Sequence, residues 1–422
     1  MKKRIIMILM ITLTCTMMVM AGGQKDDEGA SVDGKIELTY FTYSAHPDHM
    51  NDLEEMIAIF ENENKDITIK VENAPYADYF TKLQTLVAGG VAPDVFELNY
   101  ESFVTYAASG SLYDLSSLAS NDSSFDSGIF YPKALDAFQY EGSIYGLPET
   151  FSTVVLYYNK DLFDKAGLAY PSEDWTWADA VAAGKKINDP ANDIWGLFSP
   201  IQFWEFYKKV AQNGGAILSA DGKTSTLNTP DNVEALETMV DMVLGSGVMP
   251  SAADLGGVSN EDFFKSGNLG MVVSGIWMFG GFADAEFNWD IEVEPGMSTK
   301  ATHFFANALA VSANTKKAEA AWKWAKFFSS SKEVAEMRVA TGWELPTLTD
   351  ESYFKAYLDR DLPENRQAVF NSLKYSIVPP VIERQNELQD AIGMQLDQAA
   401  LGTITPAQAL ENAEAAIIPL LK

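Results

Sequence analysis

The sequence predicts two α/β lobes with a largely helical finish, and three observations carry that prediction. Period-two and helix-period apolar stretches alternate from Lys35 onward, a second alternating block starts at Gly146-Leu147-Pro148, and helical spacing dominates from Lys316 to Lys422. Alternation of this kind implies a parallel sheet covered by helices on both faces. A chain of 422 residues accommodates two to three domains at about 150 residues each. Hydrophobic residues at 47%, with 12% aromatic, suffice for substantial cores and exclude wholesale disorder.

Taken in order, Ile36, Leu38 and Tyr40 recur every second residue, as in a strand, and Leu53, Met56, Ile57 and Phe60 follow helical spacing. Ile67, Ile69 and Val71 return to period two. Phe80, Leu83, Leu86 and Val87 mark a helix stopped by Gly89-Gly90. Val95 to Leu98 is a third strand, and a helix through Tyr106 ends near Gly110. In the second block, Thr153 to Tyr158 suits a strand buried on both faces. Thr176 is placed to cap the next helix with Asp179 as its partner. Trp195 to Phe198 reads as a strand and Phe203 to Ala211 as a helix. Thr229-Pro230 opens a helix carrying Leu236, Val240 and Val243, and Gly270 to Val273 and Ile291 to Val293 are short strands.

The N-terminus carries an address. Lys2, Lys3 and Arg4 precede a mostly apolar run from Ile5 to Met20, and Ala21-Gly22 supplies small residues for cleavage, the layout of a secretory signal. The run is shorter than the roughly 20 apolar residues of a membrane span. Cleavage after residue 21 removes Cys15, the only cysteine, so no disulfide, thiol nucleophile or thiolate metal site is expected. Cys15 also permits a reading as a lipidated residue, but Thr12-Leu13-Thr14 and the apolar residues after it fit a lipoprotein signal poorly. Residues 22–34 read as a flexible polar leader. An exported, extracytoplasmic protein is the expectation.

Thirty Lys+Arg stand against 59 Asp+Glu, a net charge of −29, and such a surface repels phosphate backbones, which argues against nucleic-acid binding. Gly222-Lys223-Thr224 resembles the end of a phosphate loop, but Ile217 occupies the position of its first glycine. No serine sits in a G-x-S-x-G elbow. His46 and His49 are spaced for a shared metal, yet Pro47 spoils the helical turn between them. Glu149 and Glu344 are the best pair for glycoside hydrolysis, without a supporting constellation. Neither catalysis nor a cofactor or metal is expected.

Aromatic placement points to binding instead. Tyr100, Trp175, Trp177, Trp204, Trp277 and Trp343 fall at or near the ends of expected elements, and loops at strand C-termini are where open α/β sheets bind ligands. An aromatic ring packs on the C–H face of a sugar while Asn, Gln and Glu satisfy the hydroxyls.

Over essentially the whole mature chain the sequence resembles the family 1 extracellular solute-binding proteins, the maltose- and oligosaccharide-binding components of ABC importers. The resemblance runs through Phe80 to Leu83, Ala92 to Val95, Ala108-Ser109-Gly110, Tyr145 to Pro148, Tyr158 to Phe163, Ser274 to Trp277 and Gly402 to Leu410, in the family's order. It implies a hinged two-lobe periplasmic-binding-protein fold of type II. Lobe 1 would comprise 35–147 plus 296–345 and lobe 2 148–295 plus 346–422, with crossings near Leu147 to Ser152 and Glu294-Pro295. It further implies a monomer that closes on a carbohydrate and docks on a membrane permease. Carried over by motif, Ser44, His46, Asn99, Tyr100, Glu101, Glu149, Ser152, Gln202, Trp204, Trp277, Asn307, Trp343, Glu344 and Arg384 are the expected solute contacts. Within the same fold, a polyamine would suit Glu101, Glu149 and Glu344. A secreted polysaccharide hydrolase is the more distant alternative.

Overall fold

The computed structural model describes residues 34–421 apart from 46 and 48. The expected secretion signal, nearly all of the leader and His46 lie outside the described residues. Strands β1 (Ile36–Thr42), β2 (Ile67–Asn73) and β3 (Val95–Asn99) pair in parallel, as the alternation predicts. A small hairpin of β4 (Gln139–Tyr140) and β5 (Ser143–Ile144) then leads into β6 (Gly146–Asn159), whose 14 residues are all buried. The remaining strands are β7 (Met271–Gly275), β8 (Trp289–Glu292), β9 (Thr302–Val311), β10 (Leu345–Pro346) and β11 (Ser376–Ile377).

The main sheet runs β10-β6-β9-β3-β1-β2 and is mixed rather than wholly parallel, because β9 lies antiparallel to both β3 and β6. Strand β6 changes partners along its length. It pairs with β9 as far as Thr153, then with β7 from Val154 and with β8 from Leu156. Strand β9 likewise pairs with β11 at Thr302 and His303 and with β3 from Asn307 to Val311. Two strands thus pair with different partners along their length. Glu294, near which the second crossing was expected, is buried beside Lys208 and Lys209.

The local chemistry follows the pattern. Leu53, Met56, Ile57 and Phe60 are the buried stripe of the helix Met50–Glu63, which packs with the helix Ala318–Ser330 around Tyr40, Leu309 and Trp324 on one face of the sheet. The helix Tyr76–Ala88 stops at Gly89, where Gly90 adopts φ 70°. That left-handed turn lets the amides of Gly90 and Val91 bond back to Val87 and Leu86, a conformation glycine adopts without steric cost. Thr176 and Asp179 form a reciprocal capping box on the helix Trp177–Ile187. The helix Pro230–Val240 ends in a π-turn over Asp241–Gly245, so Val243 lies beyond its regular part. A separate bundle of helices Phe203–Gln212, Pro230–Val240, Gln385–Ala400 and Pro406–Ile417 encloses its own core.

Trp195 to Phe198 does not form the expected strand. Trp195 and Phe198 make single bridges to Leu269 and Val272, while the amides of Gly196 and Leu197 both point to the carbonyl of Val248. The cause is Gly196, which approaches the Gly184 backbone so closely that a Cβ would fall 2.3 Å from its carbonyl oxygen. Helix packing has taken precedence over ladder formation. Among the described residues no helix is long and apolar enough to cross a membrane.

Candidate ligand-binding cleft

Strand β9 supplies the floor. Nine of its ten residues are buried and Phe305 is the exception. His303, Phe305 and Asn307 share one face of the strand by the period-two rule, and each gathers a different set of neighbours.

Around Phe305 the set is aromatic. The Trp277 ring stands edge-on to it at 5.2 Å, and Trp204 lies tilted against it at 6.0 Å. Trp277 follows the C-terminal end of β7 and is 46% exposed, which leaves an indole face available. It lies directly over Gly275, where a Cβ would meet ring carbons at 2.0 Å. A methyl there displaces the indole without deleting it. Gly275→Ala is therefore expected to weaken solute binding almost as much as removing the ring, with far-ultraviolet circular dichroism unchanged.

Around Asn307 the set is polar. Its side-chain nitrogen donates to Glu344 Oε2 at 3.1 Å, and its oxygen accepts from the Tyr43 hydroxyl at 2.6 Å. Thr150 also donates to Glu344 Oε2, at 2.7 Å. Glu344 holds φ 47°, a left-handed backbone that a side chain bearing Cβ adopts at a cost. These two hydrogen-bonding partners, Thr150 on β6 and Asn307 on β9, fix its carboxyl between the strands. Burial raises the carboxyl above the ordinary glutamate range. Next along β3, Asn99 caps the helix Tyr100–Ala108 by accepting from the Ser102 amide, and its nitrogen reaches the Tyr76 hydroxyl at 3.4 Å. Tyr76 is 57% exposed and packs edge-on to Tyr43 at 5.4 Å.

Around His303 the set joins three elements. Nε2 lies 3.2 Å from Glu101 Oε1, off the angle of a well-formed hydrogen bond, while Nδ1 meets the Tyr207 hydroxyl and the ring edge meets Trp204 at 5.5 Å. Burial lowers the imidazole below its usual value and favours the neutral ring.

Of the expected contacts, Asn99, Tyr100, Trp204, Trp277, Asn307 and Glu344 are thus brought to this region, along with Ser44, whose amide bonds Glu97. Ser152 is buried beside Phe305 in the β6–β9 ladder, and Gln202 is exposed at the start of the helix, two residues before Trp204. Glu101 faces His303. Others are differently engaged. Glu149 is 1% exposed, its carboxylate taken by Arg338 at 2.8 Å. Trp343 is 2% exposed, with His49 stacked on its ring and the Arg338 guanidinium 4.2 Å from its centroid, so neither face is open to solute. Arg384 is exposed and bonds Glu387 one turn on. Trp177 is also interior, under the Lys209 ammonium, and Trp175 is half-buried. An element-end position selected these rings, but two of them anchor their own lobes.

Sequence reasoning missed Tyr43, Tyr76, Thr150 and Phe305. Tyr76 had a signal, a large aromatic just after Pro75 on the polar side of a helix start. Phe305 had none, since it sits in an apolar run that reads as core.

With this geometry in view, residues 55–357 match the family described as bacterial extracellular solute-binding protein. The chain belongs to that family. It is 47% identical to the ABC substrate-binding protein of Listeria monocytogenes solved in complex with cycloalternan, covering 92% of this chain and 99% of that one at a TM-score of 0.88. It is 25% identical over 92% of its length to the cyclic alpha-maltosyl-1,6-maltose binding protein of Arthrobacter globiformis, whose chain it covers in full at a TM-score of 0.73. Among curated relatives, the galactooligosaccharide-binding protein of Bacillus subtilis is 25% identical across 96% of this chain and 94% of that protein. The fold is the type II, two-lobe architecture of these binding proteins.

Proposed function

We propose that this protein is an extracytoplasmic receptor for an oligosaccharide, held in the cleft floored by Phe305 and passed unaltered to an ABC permease. The observation that carries the reading is the exposed pair Tyr76 and Trp277, two aromatic faces flanking the polar group of Asn307, Glu344 and Asn99. Aromatic faces and planar amides complement a sugar's C–H faces and hydroxyls. The names of the relatives support it, and cycloalternan is the first solute to try because the 47% identical relative binds it.

The lobes meet where β6 and β9 exchange partners, so lobe 1 extends to about Thr153 and resumes within β9. Solute touching both lobes shifts the population toward closure. The acting form is a monomer released by cleavage after residue 21. A polyamine finds little here, since Glu149 is bound to Arg338 and Glu101 faces His303, leaving Glu344 alone. The ion pair with Arg338 likewise engages Glu149, one member of the Glu149–Glu344 pair considered for glycoside hydrolysis.

Isothermal titration against a panel of cycloalternan, linear glucooligosaccharides, galactooligosaccharides and spermidine tests the reading, with chromatography of the recovered sugar. Saturable binding of one oligosaccharide, recovered intact, is expected. Binding of spermidine alone, or recovery of shortened sugar, would overturn it.

A further inference from the structure

Behind the lobe-1 wall of the cleft lies a buried cluster that touches no solute surface. Glu97 on β3 accepts three hydrogen bonds at Oε2, from Thr42 Oγ1 at 2.6 Å and from the amides of Tyr43 at 2.7 Å and Ser44 at 3.0 Å. Glu149 on β6 accepts from Arg338 Nη2 at Oε2, at 2.8 Å. It occupies the bulge between Pro148 and Thr150, where the β6–β9 register slips, and a bulge re-aims a side chain.

Each carboxyl has one oxygen left over. Glu97 Oε1 and Glu149 Oε1 are buried without a hydrogen-bond partner among the described residues. Their strands flank β9, with Glu97 across from Leu309 and Glu149 at the slip beside Ala308 and Asn307, and the charge of Glu97 acts on Glu149. Two carboxylates cannot bond each other, because neither carries a hydrogen, whereas an acid and a carboxylate can. A buried like-charge pair is also strongly unfavourable, and Arg338 supplies one positive charge for both. We propose that a single proton sits between Glu97 and Glu149, and that Glu149 is thereby a positioning residue, tying the solute-binding loop Tyr43-Ser44 to the shared strand β6.

The surroundings agree. Burial, then the charge of Glu97, hold the Glu149 carboxyl well above the ordinary carboxylate range against the pull of Arg338. The other titratable groups facing the pair are Glu344 and the phenols of Tyr40, Tyr43 and Tyr79, all three held neutral far into alkali by burial.

A proton bound more tightly in the folded chain than in the unfolded one stabilises fully below the ordinary glutamate range. That stabilisation is lost as pH rises toward the folded-state value. Glu149→Gln puts an amide N–H where the proton stood and keeps an oxygen for Arg338. Chemical unfolding from pH 5 to 10 is therefore expected to show wild type losing ground to Glu149→Gln, by up to about tenfold in folding equilibrium constant per pH unit. Glu97→Gln, which supplies the same donor from the other side, should behave alike. The positioning role rests on the solute reading above and has its own readout. The Kd for cycloalternan should weaken with rising pH in wild type and stay flatter in both variants. Parallel unfolding profiles for all three proteins, or failure of both variants to fold at pH 6, would overturn the shared proton. Diverging unfolding profiles with parallel Kd profiles would overturn the positioning role alone. If cycloalternan fails to bind, the unfolding measurement still decides the proton.

Discussion

Lys208→Met is expected to cost about 3–5 kcal/mol of folding stability, the range for removing one partner of a buried ion pair. The Lys208 ammonium lies 2.7 Å from Glu294 Oε2 and 2.9 Å from Glu205 Oε1, and Lys209 lies 3.5 Å from Glu294 Oε1. All four side chains are buried, so two cations balance two anions away from water. Around them, Gln212 donates to Glu294 and to the carbonyl of Ala301 and accepts from the Trp177 indole. Lys209 sits over that indole at 3.2 Å. Burial pulls both ammonium groups down. For Lys208 the charges of Glu205 and Glu294 outweigh it, whereas Lys209 is left at about 8. Methionine preserves the length of the lysine stem, so the loss is the stranded carboxylate rather than a cavity. Adding Glu205→Gln to Lys208→Met should return much of the stability, because the remaining Lys209–Glu294 pair is again neutral. Urea unfolding of the single and double variants measures both quantities. A loss below about 1 kcal/mol, in the range of exposed pairs, would mean that water reaches the cluster.

Trp277→Ala is expected to weaken oligosaccharide binding by about 2 kcal/mol, roughly 30-fold in Kd, the scale of a central aromatic anchor. The ring is half-exposed, standing edge-on to Phe305 and over the Gly275 backbone, so folding depends on it little. Thermal stability without sugar should hold within a few degrees. Titration calorimetry of wild type and variant with the same sugar checks this. Unchanged affinity would remove Trp277 from the site and would leave Tyr76 as the aromatic to examine.

Much of the fold was legible because its signals are local. The stripe Leu53, Met56, Ile57, Phe60 is buried as spaced, and Thr176 caps through Asp179. The exceptions have non-local causes. The expected strand at Trp195 gave way to a close approach of Gly196 to Gly184, which no window of sequence around either residue reveals. The antiparallel course of β9 between β3 and β6 depends on pairings more than a hundred residues apart. The site was half legible for the same reason. Trp277 and Asn307 came with motifs. Trp343 stood in an equally suggestive place, but the Arg338 and His49 side chains that enclose it arrive from other elements. Glu149 was selected as a solute contact, whereas its partners Arg338 and Glu97 are 189 and 52 positions away, and only folding brings them to it.

The most direct test is a crystal structure of the protein with its oligosaccharide bound. Sugar rings stacked on Trp277 and reached by Tyr76, with hydroxyls bonded to Asn307 and Glu344, are the expected result. A solute lodged outside the Phe305 floor, with Tyr76 and Trp277 still facing water, would contradict the account.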